Sequence, residues 1–147
     1  MNKVIKIGIS KNNNQEIKSV SSIDLIAGKG VIGDRHFHEY NTERNQITLI
    51  ESENIDYYNK KFNLQIPYLN FRRNIVTHGI KLNDLIGKKI IIGKIDIEGT
   101  DLCRPCKHLQ EKLGQNNIIE EFIRRGGLRC KILTSGKIQI DDKITIT

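Results

Sequence analysis

Cys103 and Cys106 stand in the run Leu102-Cys103-Arg104-Pro105-Cys106-Lys107-His108-Leu109, the stretch of this chain richest in reactive side chains. Two thiols at C-x-x-C spacing can hold a soft metal, cycle through a disulfide or carry sulfur, because a thiolate is both a ligand and a nucleophile. The residues after the second cysteine, Lys107 to Leu113, have the pattern of a short helix, whose amino-terminal dipole would favour a thiolate there. Four readings compete. A structural zinc site needs four ligands, and only His108, Cys130 and the scattered His36, His38 and His78 could complete one, so half a site is visible. A thioredoxin-like motif belongs between a strand and a long helix in a βαβ unit, which the surrounding pattern does not supply. Inert packing suits Cys130, inside a strand pattern, better than two cysteines flanked by Asp101, Arg104, Lys107 and His108. What remains is a thiolate that ligates a cofactor metal or carries sulfur.

Three further clusters could serve such a thiolate. Gly28-Lys29-Gly30-Val31-Ile32-Gly33-Asp34-Arg35-His36 is dense in glycine, which would let backbone amides approach an anion, and ends in three side chains able to position a ligand. It lacks the ending of a P-loop and opens no helix, so neither nucleotide fingerprint applies, and on its own it reads as a structural loop. Phe71-Arg72-Arg73-Asn74, followed by Thr77-His78-Gly79, and Arg124-Arg125-Gly126-Gly127-Leu128-Arg129 offer guanidinium forks suited to phosphate. Either cluster alone reads as ordinary surface arginine; two of them bracketing a C-x-x-C strengthen the functional reading.

The elements that must position these groups are mostly strands. Ile-rich alternation marks Val4–Ile9, Gln46–Ile50, Asn74–Thr77, Lys89–Ile92, Ile95–Glu98, Lys131–Thr134, Ile138–Ile140 and Lys143–Ile146. Turn signals at Gly93-Lys94, Ser135-Gly136 and Asp141-Asp142 predict antiparallel hairpins between neighbours, and Asn12-Asn13-Asn14 reads as a hairpin tip. A mostly β barrel or sandwich is expected, with a few short helices. Two segments break the rhythm as amphipathic helices: Glu51 to about Phe62, with Ile55, Tyr58 and Phe62 on one face, and Asn117 to Arg125, with Ile118, Ile119, Phe122 and Ile123. Arg124-Arg125-Gly126-Gly127 should end the second, with a glycine in the left-handed cap conformation.

The bulk numbers bound the function. The 147 residues fit a single domain spanning 1–147, with no linker-like break. No apolar run approaches the roughly 18 residues of a membrane span, and no secretory segment opens the chain, so a soluble cytoplasmic protein with no membrane association is expected. Three cysteines in such a protein are reduced thiols by default. Lys plus Arg number 24 against 17 Asp plus Glu, a formal charge of +7, which points to an anionic partner. The basic residues are scattered, and four Phe, four Tyr and no Trp offer few stacking platforms, which argues against nucleic acid. Much of the lysine is accounted for as solvated surface.

Taken in order, Gly28 to His36 (G-x-G-x-x-G-D-R-H), Gln46-Ile47-Thr48-Leu49 with Glu51, Arg72-Arg73-Asn74-Ile75-Val76, Gly79-Ile80-x-Leu82, Leu85-Ile86-Gly87 with Ile92-Gly93, the cysteine run, Arg125-Gly126-Gly127-Leu128-Arg129 and Gly136-x-Ile138 resemble a stand-alone MOSC domain, the module at the carboxyl end of molybdenum cofactor sulfurases. The resemblance spans nearly the whole chain. It implies a MOSC-type β-barrel that binds the molybdenum cofactor, a pterin dithiolene carrying a phosphate, with one cysteine thiolate completing the metal's sulfur coordination. Matching the C-x-x-C run makes Cys106 the metal ligand and leaves Cys103 beside it or relaying sulfur. Arg35, Arg73, Asn74, Thr77, His108, Arg125, Gly126, Gly127 and Arg129 would hold the pterin and its phosphate, and Asp34, Arg35 and His36 would line the entrance and deliver a proton.

The implied reaction is reduction of an N-hydroxylated small molecule, such as a hydroxylamino base analogue. With no flavin or iron–sulfur motif in the chain, a separate electron-donor protein is required. The alternatives are a sulfur carrier, loaded by a sulfur-donor protein with a persulfide on Cys103 or Cys106 and helped by Arg104 and Lys107, and a non-catalytic cofactor-binding module. Pyridoxal phosphate belongs to relatives fused to a sulfurase domain and is not expected here. Two departures from the family pattern stand out. Cys130 follows Arg129 where relatives carry a small residue or another arginine, and the polar His36–Arg44 loop carries no family signature, so these positions bear on substrate choice. No motif indicates an oligomeric state.

Overall fold

The computed structural model describes residues 1–39 and 45–147; residues 40–44 of the His36–Arg44 loop lie outside the described residues. The isoleucine-rich segments form strands because β-branched side chains pack well on a pleated surface with one face buried. In chain order they are β1 (Lys3–Ile9), β2 (Lys18–Val20), β3 (Ser22–Ile26), β4 (Gly30–Val31), β5 (Ile47–Glu51), β6 (Ile75–His78), β7 (Lys89–Ile92), β8 (Ile95–Leu102), β9 (Leu128–Ile132), β10 (Gly136–Gln139) and β11 (Ile144–Ile146). Helices α1 (Ser52–Phe62), α2 (Lys107–Leu113) and α3 (Ile118–Glu121) and 3-10 turns at Tyr68–Phe71 and Leu82–Leu85 complete the fold. Among the described residues, no helix is long and apolar enough to cross a membrane.

Eight strands form one sheet in the order β11-β7-β8-β9-β5-β6-β1-β2, all antiparallel except the β5–β6 pair. The sheet curls until β1 meets the segment leading into β11. Lys3 bridges Lys143, the Val4 amide donates to Asp142 O at 3.0 Å, and the Ile144 amide donates to Asn2 O at 2.9 Å. A second sheet, β10-β3-β4, caps this barrel-like ring. Inward-facing Val4, Ile7, Leu49, Ile90, Ile97, Leu128 and Cys130 belong to one buried core.

A smaller cluster lies on the outer face, where Ile50 and Val76 meet Ile55, Tyr58, Phe71, Leu109, Ile118 and Phe122. Phe71 and Phe122 stack with centroids 4.8 Å apart, and Tyr58 lies 5.1 Å from Phe122. These rings pin α1, the Tyr68–Phe71 turn, α2 and α3 to the barrel wall, and through α2 they fix Cys106.

The structure revises four local expectations. The β7–β8 hairpin at Gly93-Lys94 and the β1–β2 hairpin form, but β10 pairs with β3 and β11 with β7, so Ser135-Gly136 and Asp141-Asp142 are crossings between strands that do not pair. β9 begins at Leu128, three residues before the expected Lys131, because its pairing with β5 sets Arg129 against Thr48. The expected helix at 117–125 shrinks to Ile118–Glu121: Ile118 and Phe122 are buried, whereas Ile119 and Ile123 are exposed, and Arg124 (φ 63°) takes a left-handed conformation ahead of Gly127 (φ 111°). The short strands β2, β3 and β4 lie where sequence alternation gave no signal.

Candidate functional site

Cys103 reaches its place through an irregularity in β8. The β8–β9 register shifts between Gly99 and Asp101, and a bulge re-aims the residues after it. The Cys103 amide then donates to Gly127 O at 2.8 Å. A Cβ on Gly126 would lie 2.6 Å from Cys103 O, so only glycine allows this approach. Three residues on, Cys106 sits in extended backbone immediately before α2. Cys103 is buried and Cys106 exposed, and both line a cleft of about 220 Å³ on the outer face of the barrel. Cys130 points into the core instead. Burial, reinforced by the nearby Cys103, pushes its thiol well above the usual range, so it stays protonated. All three thiols are free.

Among the described residues, five guanidinium groups share the cleft wall with the thiols: Arg35, Arg72, Arg73, Arg104 and Arg129. Arg35 donates from Nη2 to Arg72 O at 3.0 Å and from Nη1 to Asp34 Oδ1 at 3.3 Å. Arg72, in left-handed backbone (φ 65°), donates to Gln15 O at 2.7 Å and so ties down the β1–β2 loop. Arg73 donates from Nε to Gly126 O at 2.9 Å. The side chains of Arg104, Arg129 and His108 have no hydrogen-bond or ion-pair partner among the described residues. Burial is the first cause lowering the titration of Arg35 and Arg72, countered by the carboxylate of Asp34.

Asp34 organises this wall from beneath. Its carboxylate is fully buried, accepts from the Ser10 amide at 3.0 Å and the His36 amide at 3.3 Å, and lies 3.6 Å from His36 Nδ1. Burial alone would raise its pKa, but the bonds from His36 and Ser10 and the charge of Arg35 outweigh it, and the net shift is downward. The glycine-rich loop is therefore scaffold. The amides of Lys29, Ile32, Asp34, Arg35, Phe37 and His38 all donate within the protein, which leaves them unable to cradle an anion.

Of the residues expected from the sequence, Cys103, Cys106, Arg35, His36, Arg73, His108 and Arg129 line the cleft. Gly126 and Gly127 support it through their carbonyls. Asn74, Thr77 and Arg125 do not reach it. Asn74 and Thr77 are buried, the latter donating from Oγ1 to Ile50 O at 3.3 Å, and both knit strands together. Arg125 lies over the ring of Tyr57 at 4.6 Å, on α1. The cleft also takes in Asn13, Asn45 and Thr48, which were not anticipated, together with Arg72, expected as part of a phosphate-suited guanidinium cluster, and Arg104, expected to assist a persulfide-forming thiol. The available signal was Thr48, a polar residue breaking the apolar run Ile47-Leu49-Ile50.

The cleft by itself is no metal cage: no group of three or more His, Cys, Asp or Glu side chains among the described residues could hold an ion. It suits an anionic ligand that brings most of its own metal donors.

Comparison with known proteins agrees with this architecture. No curated protein matches the chain. Among solved structures, the YUAD protein from Bacillus subtilis is similar with a TM-score of 0.83 at 20% identity, covering 98% of this chain and 94% of that one. YiiM from Geobacillus stearothermophilus is similar with a TM-score of 0.81 at 15% identity, covering 100% and 75%. YiiM from Escherichia coli gives 0.76 at 16%, covering 99% and 69%. Likeness at these identities shows the fold. The MOSC domain family model matches residues 33–145, the part of the chain that carries β5 to β9, most of β11 and both cysteines of the cleft; the protein belongs to the MOSC domain family.

Proposed function

We propose that the protein binds the molybdenum cofactor in the arginine-lined cleft and reduces N-hydroxylated small molecules there, taking electrons from a separate donor protein inside the cell. The observation that carries this reading is the meeting of an exposed thiol, Cys106, a buried thiol, Cys103, and five guanidinium groups in one cleft. The donor set fits the group. A pterin dithiolene brings two sulfurs and a phosphate of its own, so the protein need supply one soft ligand and several cations, and this cleft holds both.

Cys106 would complete the metal's sulfur coordination, while Arg129, Arg73 and Arg35 would take the phosphate and the polar edge of the pterin. When bound, the cofactor supplies a two-electron redox centre able to accept an oxygen atom. The chain's own residues do the rest. Asp34 holds Arg35 in place, and its carboxylate oxygen 3.6 Å from His36 Nδ1 orients the imidazole at the edge of the cleft. Cys103, sealed at 3% exposure behind Gly126 and Gly127, keeps water from the inner wall.

The test is metal and pterin content of protein purified from cells that make the cofactor. Wild type should carry close to one molybdenum and one pterin per chain, Cys106→Ala should lose the metal, and Arg129→Gln should lose the pterin. Absence of both from wild type, while a known cofactor protein from the same cells loads normally, would refute the reading. A persulfide on Cys106 after exposure to a desulfurase would then favour sulfur carriage.

A further inference from the structure

A second cavity opens on the other side of the cysteine segment. It measures about 430 Å³, within the range of roughly 300 to 1,000 Å³ usual for small-molecule sites. Its walls are mostly apolar: Ile86, Leu102, Pro105, Ile119 and Ile123. Three of these are isoleucines standing well out of the core, at 45%, 41% and 66% exposure, and they gather around one concavity instead of scattering over the surface.

Two cations complete the rim. Arg104 and Arg124 both line the cavity, and neither guanidinium has an ion-pair or hydrogen-bond partner among the described residues. Arg124 is held there by its backbone: its left-handed conformation reverses the chain after α3, and its carbonyl accepts from Asn83 Nδ2 at 2.6 Å. Among the described residues lining the cavity, Asp101 is the one carboxylate, and its Oδ1 accepts from the Leu102 amide at 2.8 Å. An apolar floor with an excess of unpaired positive charge at one edge selects a particular ligand chemistry.

We infer that this pocket binds an amphipathic organic monoanion, its apolar body against Ile86, Ile119 and Ile123 and its carboxylate or equivalent head between Arg104 and Arg124. The site is distinct from the cofactor cleft and holds whether or not the cofactor reading does. Its importance lies in the shared wall, since Cys103 and Arg104 line both cavities. A ligand here rests against the back of the segment that carries the thiols and draws on a cation that the cleft also uses, so its occupancy and that of the cleft oppose each other.

Titration calorimetry on the cofactor-free protein tests this with octanoate, and with 1-octanol as the neutral comparison. Octanoate should bind once per chain, and 1-octanol about tenfold more weakly for want of the charge-assisted bonds. Ile123→Glu, at an exposed position that leaves the fold intact, should weaken octanoate at least tenfold. Arg124→Asn, a residue that tolerates left-handed backbone, should remove the preference for octanoate over octanol. Inorganic phosphate, seated in the cleft, should weaken octanoate binding. The inference is overturned if octanoate gives no saturable heat, if Ile123→Glu leaves it unchanged, or if the wild type is a dimer that Ile123→Glu dissociates, since the patch would then be a contact between two copies of the chain.

Discussion

Asn74 and Thr48 hold each other reciprocally: Asn74 Oδ1 accepts from the Thr48 amide at 3.1 Å, and the Asn74 amide donates to Thr48 Oγ1, also at 3.1 Å. Asn74 Nδ2 adds a bond to Gly8 O at 3.1 Å, so one side chain joins β5, β1 and the start of β6 directly beneath the cleft. Asn74→Leu strands these buried partners and should cost about 2 to 4 kcal/mol, read as a lowered urea midpoint with unchanged slope. Were Asn74 a ligand-binding residue instead, the variant would keep its stability and lose only affinity.

Gly127 and Gly126 should respond differently to the same small change. A Cβ on Gly127, where φ is 111°, would collide with Leu49 O inside the sheet, and Gly127→Ala should leave little folded protein. Gly126→Ala presses instead on Cys103 O, at the cleft wall, and should fold while binding the cofactor poorly. Circular dichroism and metal content, measured together, separate the two outcomes.

Acid should weaken the protein through Asp34. Its carboxyl titrates below the ordinary 3.8, so its contribution is complete above that value and disappears as the pH falls further, through the lower value of the folded state. Unfolding free energy should be flat around neutrality and fall below about pH 4. Asp34→Asn should lower stability at pH 7 by about 1 to 3 kcal/mol and flatten that acid limb.

Thiol reactivity should follow placement. With iodoacetamide, mass spectrometry should find Cys106 modified first, Cys103 far more slowly, and Cys130 only after denaturation. Because Cys130 holds its proton more tightly in the folded state, stability should also decline as the pH rises above 9.0, where the unfolded thiol ionises. Early labelling of Cys130 in native protein would contradict its placement in the core.

Phosphate should stabilise the protein through the arginine wall. At ten times its dissociation constant a ligand adds about 1.4 kcal/mol, a rise of about 3 to 6 °C in Tm for a chain of this size. Arg129→Gln should remove most of that rise yet change the unliganded Tm little, since the Arg129 side chain bonds to nothing among the described residues. An equal phosphate effect in wild type and variant would place the anion elsewhere.

The strands that sequence reveals best are those with one dry face, such as β7 and β8, where alternation records burial directly. Their partners are less legible, because β10 seeks β3 and β11 seeks β7 across distances that no local turn signal reports. The same limit applies to the site. Cys103, Cys106, Arg73 and Arg129 announce themselves by residue type, but whether Asn74 faces a ligand or a neighbouring strand depends on the parallel β5–β6 pairing, which its own segment does not encode. Arg125 and Arg129, four residues apart, part company because Gly126-Gly127 lies between them and only Arg129 stands in β9.

The seam that closes the ring sets an order on its assembly. Lys3 and Val4 complete their bonding only with Asp141 to Lys143, so during vectorial synthesis from the amino end the Lys3–Val4 end of β1, beyond the reach of β2, keeps one side open until the residues after β10 have left the ribosome. Sequence separation of this size slows closure, and for that interval the exposed strand is vulnerable to pairing with another nascent chain. Helpers that shield unpaired edges during translation should therefore matter more to the yield of this protein than its final stability suggests.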